Sequence, residues 1–480
     1  MKTKKYIVLG LIAASAISCT KLEDLNKDKK NPTEVSGNAI FSNALKNLCD
    51  QEASTNVNRN VFRLFSQYWT ETTYTDESNY NITTRSIPDY AWRTWYRDVL
   101  MDLKEANRLI MEESPVTAAD QANQANRSAI TEVLSVYAYQ HLVDLFGNVP
   151  YDEALNIDNV LPAYEDAQSI YSKLFARLDA AIAKLNPSLG DSFEDADLMY
   201  GGDVAMWKKF AYSLKLKMAV NVGDVAALNP ATAAADAVAG GVFTSSADNA
   251  VMNYLGSQPN TNPVYVDLVA SGRNDFVVAN TIVDIMNTLN DPRRDDYFAE
   301  NLGAGTFTGG IYGASNSFSS YSHVADALQD PTAPMHLMDY AEVLFYQAEA
   351  VERGFIGGSA DLLYAEAVAT SILDWGGTAG EAATYLAQAD VAYATAPGTW
   401  QEKIGKQAWL AYYNRGFLGW TTWRRLDAPA MNPAALTTDP LPVRFTYAVN
   451  EQTLNGANYT SAAAAIGGDL QTTKLFWDKY

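Results

Sequence analysis

Two cysteines and three histidines in 480 residues leave little material for several kinds of chemistry. Cys19 ends the N-terminal apolar run and Cys49 stands apart from it, so no disulfide framework can hold an exported chain of this length. Cys49 has no neighbouring histidine, and Asp50 beside it raises a thiol pKa, which disfavours a nucleophile. His141, His323 and His336 fall in unrelated contexts with no H-E-x-x-H motif; His141 lies on an apolar helical stripe and reads as a packed residue. G-x-S-x-G and the phosphate-loop pattern are missing, and the glycines at 303 and 305 meet Thr308 where a dinucleotide fingerprint needs a third glycine. Positive charge is also scarce. Lys and Arg number 35 against 56 Asp and Glu, a net charge of -21 that repels nucleic acid and anionic lipid. No apolar run reaches the ~20 residues of a membrane span.

What is present begins with a shorter run. Lys2, Lys4 and Lys5 precede the apolar stretch Tyr6 to Ser18, which ends in small residues and Cys19. This is the layout of a bacterial lipoprotein signal, with Ala16 where leucine is usual. Residues 1–18 are expected to be removed and Cys19 lipidated; an ordinary signal cut nearby, with Cys19 incidental, is the alternative. Removal takes three lysines and shifts the charge from -21 to -24. Polar residues 19–38, with Pro32 and Gly37, read as a flexible lipidated tether, and 39–480 as one domain.

Long amphipathic helices dominate that domain. Asn126 to Phe146 repeats apolar residues at helical spacing and stops at Gly147. The same pattern predicts helices over Glu165–Leu185, Asp203–Val222 with an aspartate cap, Asp339–Gly354 with a reciprocal Asp339–Glu342 cap, Leu362–Trp375 and Thr399–Phe417. Paired helices with short links give a mainly α, tetratricopeptide-like repeat scaffold, although no strict 34-residue period survives. Three stretches interrupt it: 50–97, 240–335 and 427–480 are rich in Gly, Pro, Asn, Ser, Thr and aromatics, with at most short strand-like runs such as Val443–Val449. Long loops in a helical protein are often functional.

With no disulfides, 10 Trp, 28 Tyr and 17 Phe must serve both core and surface. Residues 65–96 alternate aromatics with Thr, Asn, Asp and Arg, and residues 303–323 carry aromatics among glycines. A sugar ring needs a flat aromatic for its C–H face and fork-like amide, carboxylate or guanidinium partners for its hydroxyls. Trp69, Tyr74, Tyr80, Asn81, Tyr312 and Tyr321 are therefore the candidate ligand contacts, whereas the helix-phased Trp92, Trp95 and Tyr96 read as core. The acidic Asp191–Asp197 stretch lacks the glycine and closing glutamate of a calcium loop and reads as a solvated turn; no metal or cofactor is assigned, with structural calcium left open.

The strings Q-Y-W-T-E-T-T-Y-T-D-E-S-N-Y (67–80), H-L-V-D-L-F-G-N-V-P-Y-D-E-A (141–154), L-P-A-Y-E-D (161–166), L-N-D-P-R-R-D-D-Y-F (289–298), G-W-T-T-W-R-R-L (419–426) and the closing F-W-D occur in an order that resembles the SusD/RagB nutrient-binding outer-membrane lipoproteins. The resemblance implies a tetratricopeptide-like frame with a loop-rich face and no catalysis. It also implies an outward-facing, lipid-anchored position at the outer membrane. A SusC-type TonB-dependent transporter is the implied partner, and an oligosaccharide, or in some members a peptide, the implied ligand. Within these strings, Arg424 and Arg425 read as loop anchors through carboxylate pairs. A glycoside hydrolase with two facing carboxylates, and a helical adaptor that binds only protein, are the other readings.

Overall fold

Side-chain caps start most of the long helices, and they fix where the frame begins. The computed structural model describes residues 35–189 and 191–480; Cys19 and the signal lie outside them. Helix α1 (Gly37–Ala53) opens where Ser36 accepts a hydrogen bond from the Ala39 amide. Residues 37 and 38, read as tether, are therefore helical. Gly37 is needed for contact, since a Cβ there would sit 2.9 Å from Ala106 O in α2 (Met101–Glu112).

Helix α3 (Ala118–Phe146) begins well before the predicted Asn126, because Thr117 and Asp120 form a capping box ahead of the apolar stripe. It stops at Gly147, which takes a φ of 87°. Helix α4 (Ala167–Lys184) is capped by Asp166, and α5 (Val204–Asn221) by Asp203, which accepts from the amides of Ala205 and Met206. They are followed by α6 (Pro230–Gly240), α7 (Asn280–Thr288), α8 (Tyr340–Glu352), α9 (Ala360–Asp374) and α10 (Ala379–Leu386). Asp339 caps α8, but Glu342 does not return the bond; its carboxylate meets Tyr346 Oη at 2.8 Å and Arg415 at 2.5 Å.

The single helix predicted over Thr399–Phe417 is two: α11 (Trp400–Ala411) and α12 (Gly416–Leu426). The break brings Gly416 against the backbone of Phe62 and Arg63, where a Cβ would lie 2.4 Å from Arg63 N. The C-terminal region carries α13 (Val449–Leu454) and α14 (Gly456–Ala465), although it reads as loop. Val443–Val449 is not a strand. Its Phe445 amide bonds Leu145 O and its Val443 amide bonds Gln471 O, so the apolar alternation records core-facing side chains of an extended loop.

Neighbours pack in pairs, α1 on α2, α3 on α4, α5 on α6, α8 on α9 and α11 on α12, a tetratricopeptide-like arrangement that makes the protein mainly α. Among the described residues the strands form three antiparallel ribbons: β1 (Trp69–Glu71) with β5 (Phe276–Val278), β2 (Val149–Pro150) with β3 (Tyr164–Glu165), and β4 (Ala250–Met252) with β6 (Met335–Met338). One hydrophobic core runs from Phe41 to Trp477. No helix among the described residues is long and apolar enough to cross a membrane.

Two clusters hold this frame. Asp144 on α3 accepts from Tyr171 Oη (2.7 Å), Asn221 Nδ2 (3.1 Å), Trp477 Nε1 (2.9 Å) and Gln140. Arg424 does not pair with a carboxylate. Its guanidinium donates to the carbonyls of Asp144 (2.7 Å) and Val443 (2.9 Å) and lies 3.6 Å from the Trp420 ring centre. Arg425 does pair, with Glu349.

Candidate ligand-binding site

The three loop-rich stretches meet at β1. On one side β1 pairs with β5, Trp69 opposite Val278 and Glu71 opposite Phe276. On the other, the Asn316 amide bonds Thr72 O at 2.9 Å and the Gly313 amide bonds Thr70 Oγ1 at 3.1 Å. Asn79 then ties all three together, donating to Gly313 O (2.8 Å) and accepting from the Leu436 amide (3.0 Å).

Just past β1 the chain turns at Tyr74, held at φ 56° with its side chain 68% exposed. A tyrosine in the left-handed region costs about 1–2 kcal/mol, which the surrounding hydrogen bonds must hold in place. Tyr74 borders a cleft of about 210 Å³ whose other walls are mostly polar, Asn56 and Asn58 after α1, Arg85 and the 267–275 segment, with Val57 and Phe276 between them. Arg273 grips Asp275 through two bonds, 2.5 and 3.0 Å, at the surface. Asp267 accepts from Thr55 Oγ1 at 3.1 Å, and burial raises its pKa.

Beneath Tyr74 two carboxyls are crowded together. Glu71 and Glu77 are both buried, and burial first, then the neighbouring Glu77 carboxyl, pushes the Glu71 pKa well above the carboxylate range. Two neighbouring buried carboxyls resist ionising together, which favours the protonated form of one of them. Glu71 also accepts from the Ser78 amide at 2.9 Å, and Arg85 Nε lies 2.5 Å from Glu77, a charge contact out of hydrogen-bond line. Glycosidic hydrolysis needs two carboxyls on either side of the bond to be cut, and Glu77, wholly buried, cannot reach a ligand in the cleft.

Of the six residues read as ligand contacts, only Tyr74 lines this cleft. Trp69 is buried, its Nε1 bonded to Tyr413 Oη at 2.9 Å with Arg63 over its ring. Tyr80 and Tyr312 are buried as well, packed on one another with centres 6.3 Å apart, and the Tyr312 hydroxyl bonds Leu64 O at 2.9 Å. A buried ring cannot stack on a sugar, so these three are corrected to core. Asn81 spends its amide on its own turn, donating to Thr84 Oγ1 at 2.8 Å and accepting from the Thr84 amide at 3.2 Å. Tyr321 is half-buried on the 301–323 segment, away from the cleft walls.

Trp92 and Tyr96 pack against the core, as read, and also reach the surface. Trp95 is buried as expected, but those two are half-buried and wall an apolar cleft with Pro150 and Ile157. The acidic 191–197 stretch is not simply solvated: Asp197 is buried and accepts from Trp207 Nε1 (2.6 Å) and the Gly202 amide (3.0 Å). Among the described residues no group of three His, Cys, Asp or Glu side chains could hold a metal ion. Cys49 is buried with its pKa pushed up, first by burial and then by Asp50.

A family model, SusD-like and described as starch-binding and associating with the outer membrane, matches residues 29–448. Among solved structures, a chitin-binding SusD homologue from Flavobacterium johnsoniae shares 22% identity over 92% of this chain and 98% of its own, with a TM-score of 0.79. A SusD homologue from Bacteroides uniformis shares 25% identity over 92% and 99%, TM-score 0.78. A SusD-like protein from Bacteroides thetaiotaomicron shares 23% over 92% and 99%, TM-score 0.75. No curated protein matches the chain.

Proposed function

The chain belongs to the SusD-like family described as starch-binding and associating with the outer membrane, and from that premise we propose that it captures oligosaccharides at the Tyr74 cleft without cleaving them. The observation that carries this reading is the exposed Tyr74 ring held at a strained φ above a cleft of paired polar groups. A sugar's C–H face would rest on that ring. Its hydroxyls would bond Arg273, Asp275 and the amides of Asn56 and Asn58, which can donate and accept. One exposed ring gives modest affinity, millimolar to micromolar, or about 4–8 kcal/mol.

In the same reading Cys19 carries lipid at the outer face of the outer membrane, and the protein passes its ligand to a SusC-type TonB-dependent transporter. The acidic surface and the chitin-binding relative from Flavobacterium johnsoniae support a neutral glycan over an anionic one. Calorimetric titration against a panel of plant and microbial oligosaccharides tests it, with peptides as the competing arm. Silence across the glycans, or reducing-sugar release on incubation, would sink it. Replacing Cys19 by Ala should release folded protein from the membrane and abolish uptake.

A further inference from the structure

A second cavity, of about 270 Å³, lies inside the helical frame between β6, α9 and the turn that joins α11 to α12. It is largely apolar, with Trp375 and Leu328 in its walls and a few polar groups converging on it. That mixture is the usual make-up of a small-molecule site.

We propose that this cavity binds a single sugar ring, as a site separate from the cleft; it takes from the proposed function only the class of ligand. Three features select that class. Trp375 supplies the flat surface: its indole is held edge-on by Tyr297 (4.5 Å, 67°) and by Tyr413 (6.2 Å, 60°), and the partly exposed ring borders the cavity. Second, the polar groups are already fixed by other partners. Arg415 is clamped between Asp339 (2.6 Å) and Glu342 (2.5 Å), and Asp339 is further pinned by the Glu342 amide (2.8 Å). The Asn414 Oδ1 accepts twice from Arg63, at 3.1 and 2.9 Å, which orients the amide and commits its acceptor, so its Nδ2 is the group left to donate. His336 is kept neutral by burial, so its ring offers one donor and one acceptor.

Third, the charges are spent on each other. An anion would find Arg415 occupied by two carboxylates, and a cation would find Asp339 occupied by Arg415. Asp374, the remaining carboxyl, sits exposed at the rim, its pKa raised by partial burial. A neutral polyol, which donates and accepts through the same hydroxyls, is what such a ring of fixed, charge-balanced groups can satisfy. The space is several times that of one water, about 30 Å³, and suits one ring with some water rather than a chain.

The test uses the full chain, with D-glucose and N-acetylglucosamine as probes and intrinsic tryptophan fluorescence and calorimetry as readouts. Wild type should saturate with one site, and Tyr74→Ala should leave that binding unchanged. Ala327→Trp, at an exposed position on the cavity mouth, should weaken it at least tenfold while keeping the wild-type melting temperature and the oligosaccharide titration of the cleft. Asp374→Asn should weaken it less, for the amide keeps one acceptor. No saturation up to tens of millimolar monosaccharide overturns the proposal. So does monosaccharide binding that survives Ala327→Trp or vanishes in Tyr74→Ala. If Tyr74→Ala instead leaves oligosaccharide binding intact, the cleft assignment falls and the cavity stands.

Discussion

The hub at Asp144 and the cleft at Tyr74 use the same residue types to opposite ends. At the hub a buried carboxylate meets four side-chain donors drawn from α3, α4, α5 and the C-terminal segment, so nothing remains for a ligand. Burial still pushes the Asp144 pKa up to about 6, with the Tyr171 hydroxyl, the charge of Arg424 and Gln140 holding it down. In the cleft, Arg273 and Asp275 pair at the surface, Asn58 is exposed, and the ring of Tyr74 covers nothing. A polar group enclosed by several buried partners holds the fold, and one paired at the surface or at a cavity wall keeps donors and acceptors for recognition. The difference is one of partners, not of residue type.

The largest way to break this comparison is at the hub. Asp144→Ala leaves Tyr171, Asn221 and Trp477 without their shared acceptor and Arg424 without its nearest negative charge. Removing one partner from a buried charged network costs roughly 3–5 kcal/mol, so urea unfolding should shift by that amount. A loss below about 1 kcal/mol would show that the C-terminal segment is held by apolar packing alone.

The buried Glu71 and Glu77 pair sharpens the comparison from the cleft side. The Glu71 pKa is raised in the fold, so the native state binds its proton more tightly than the unfolded chain. Its contribution to stability is therefore full below the unfolded value of about 4.3 and is lost as pH rises through the folded value. Glu71→Gln keeps an acceptor for the Ser78 amide and removes the titration. Thermal melts across pH should then flatten on the alkaline side, with the variant more stable there by about 1–2 kcal/mol. An unchanged pH profile would mean that Glu71 does not carry the proton.

Much of the frame is legible in the sequence because its signals are local. Asp166, Asp203 and Asp339 announce helix starts within three residues, and Gly147 announces a stop. The cleft is assembled from partners far apart in sequence: Thr55 with Asp267, Asn79 with Gly313, Thr72 with Asn316. An alternation of rings and polar residues over 65–80 shows that a surface is near without showing which ring faces it. β1 is buried along its length and Trp69 with it, Tyr80 and Tyr312 pack on one another in the core, and Tyr74 is left outside. Trp92 and Tyr96 pack on the core as helical phase predicts, Trp92 against Phe146, Tyr164 and Tyr447, but phase does not show that their outer edges wall a cleft.

Tyr74→Ala is the next smaller effect. Its ring covers no core, so stability should stay within about 0.5 kcal/mol. Losing the only exposed ring of the cleft should weaken oligosaccharide binding about tenfold, or ~1.4 kcal/mol. Calorimetry reads both through affinity and unchanged enthalpy of unfolding. Equal affinity in the variant would move the binding surface elsewhere on the loop face, with the Trp92 and Tyr96 cleft next to be tried.

The smallest expected change is at Arg273. Its pair with Asp275 is surface-exposed, and such pairs contribute ~0–1 kcal/mol, so Arg273→Ala should leave the melt nearly untouched. For a glycan the loss is of one fork of donors at the cleft edge, where water competes, which predicts a two- to five-fold weaker titration. Salt separates this from a merely electrostatic role: a neutral ligand held by hydrogen bonds keeps its affinity as ionic strength rises, whereas an acidic one loses it. A steep salt dependence in wild type that vanishes in Arg273→Ala would therefore replace the neutral glycan with an anionic ligand, and with it the contrast between a charge-paired hub and a cleft whose charges serve hydroxyls.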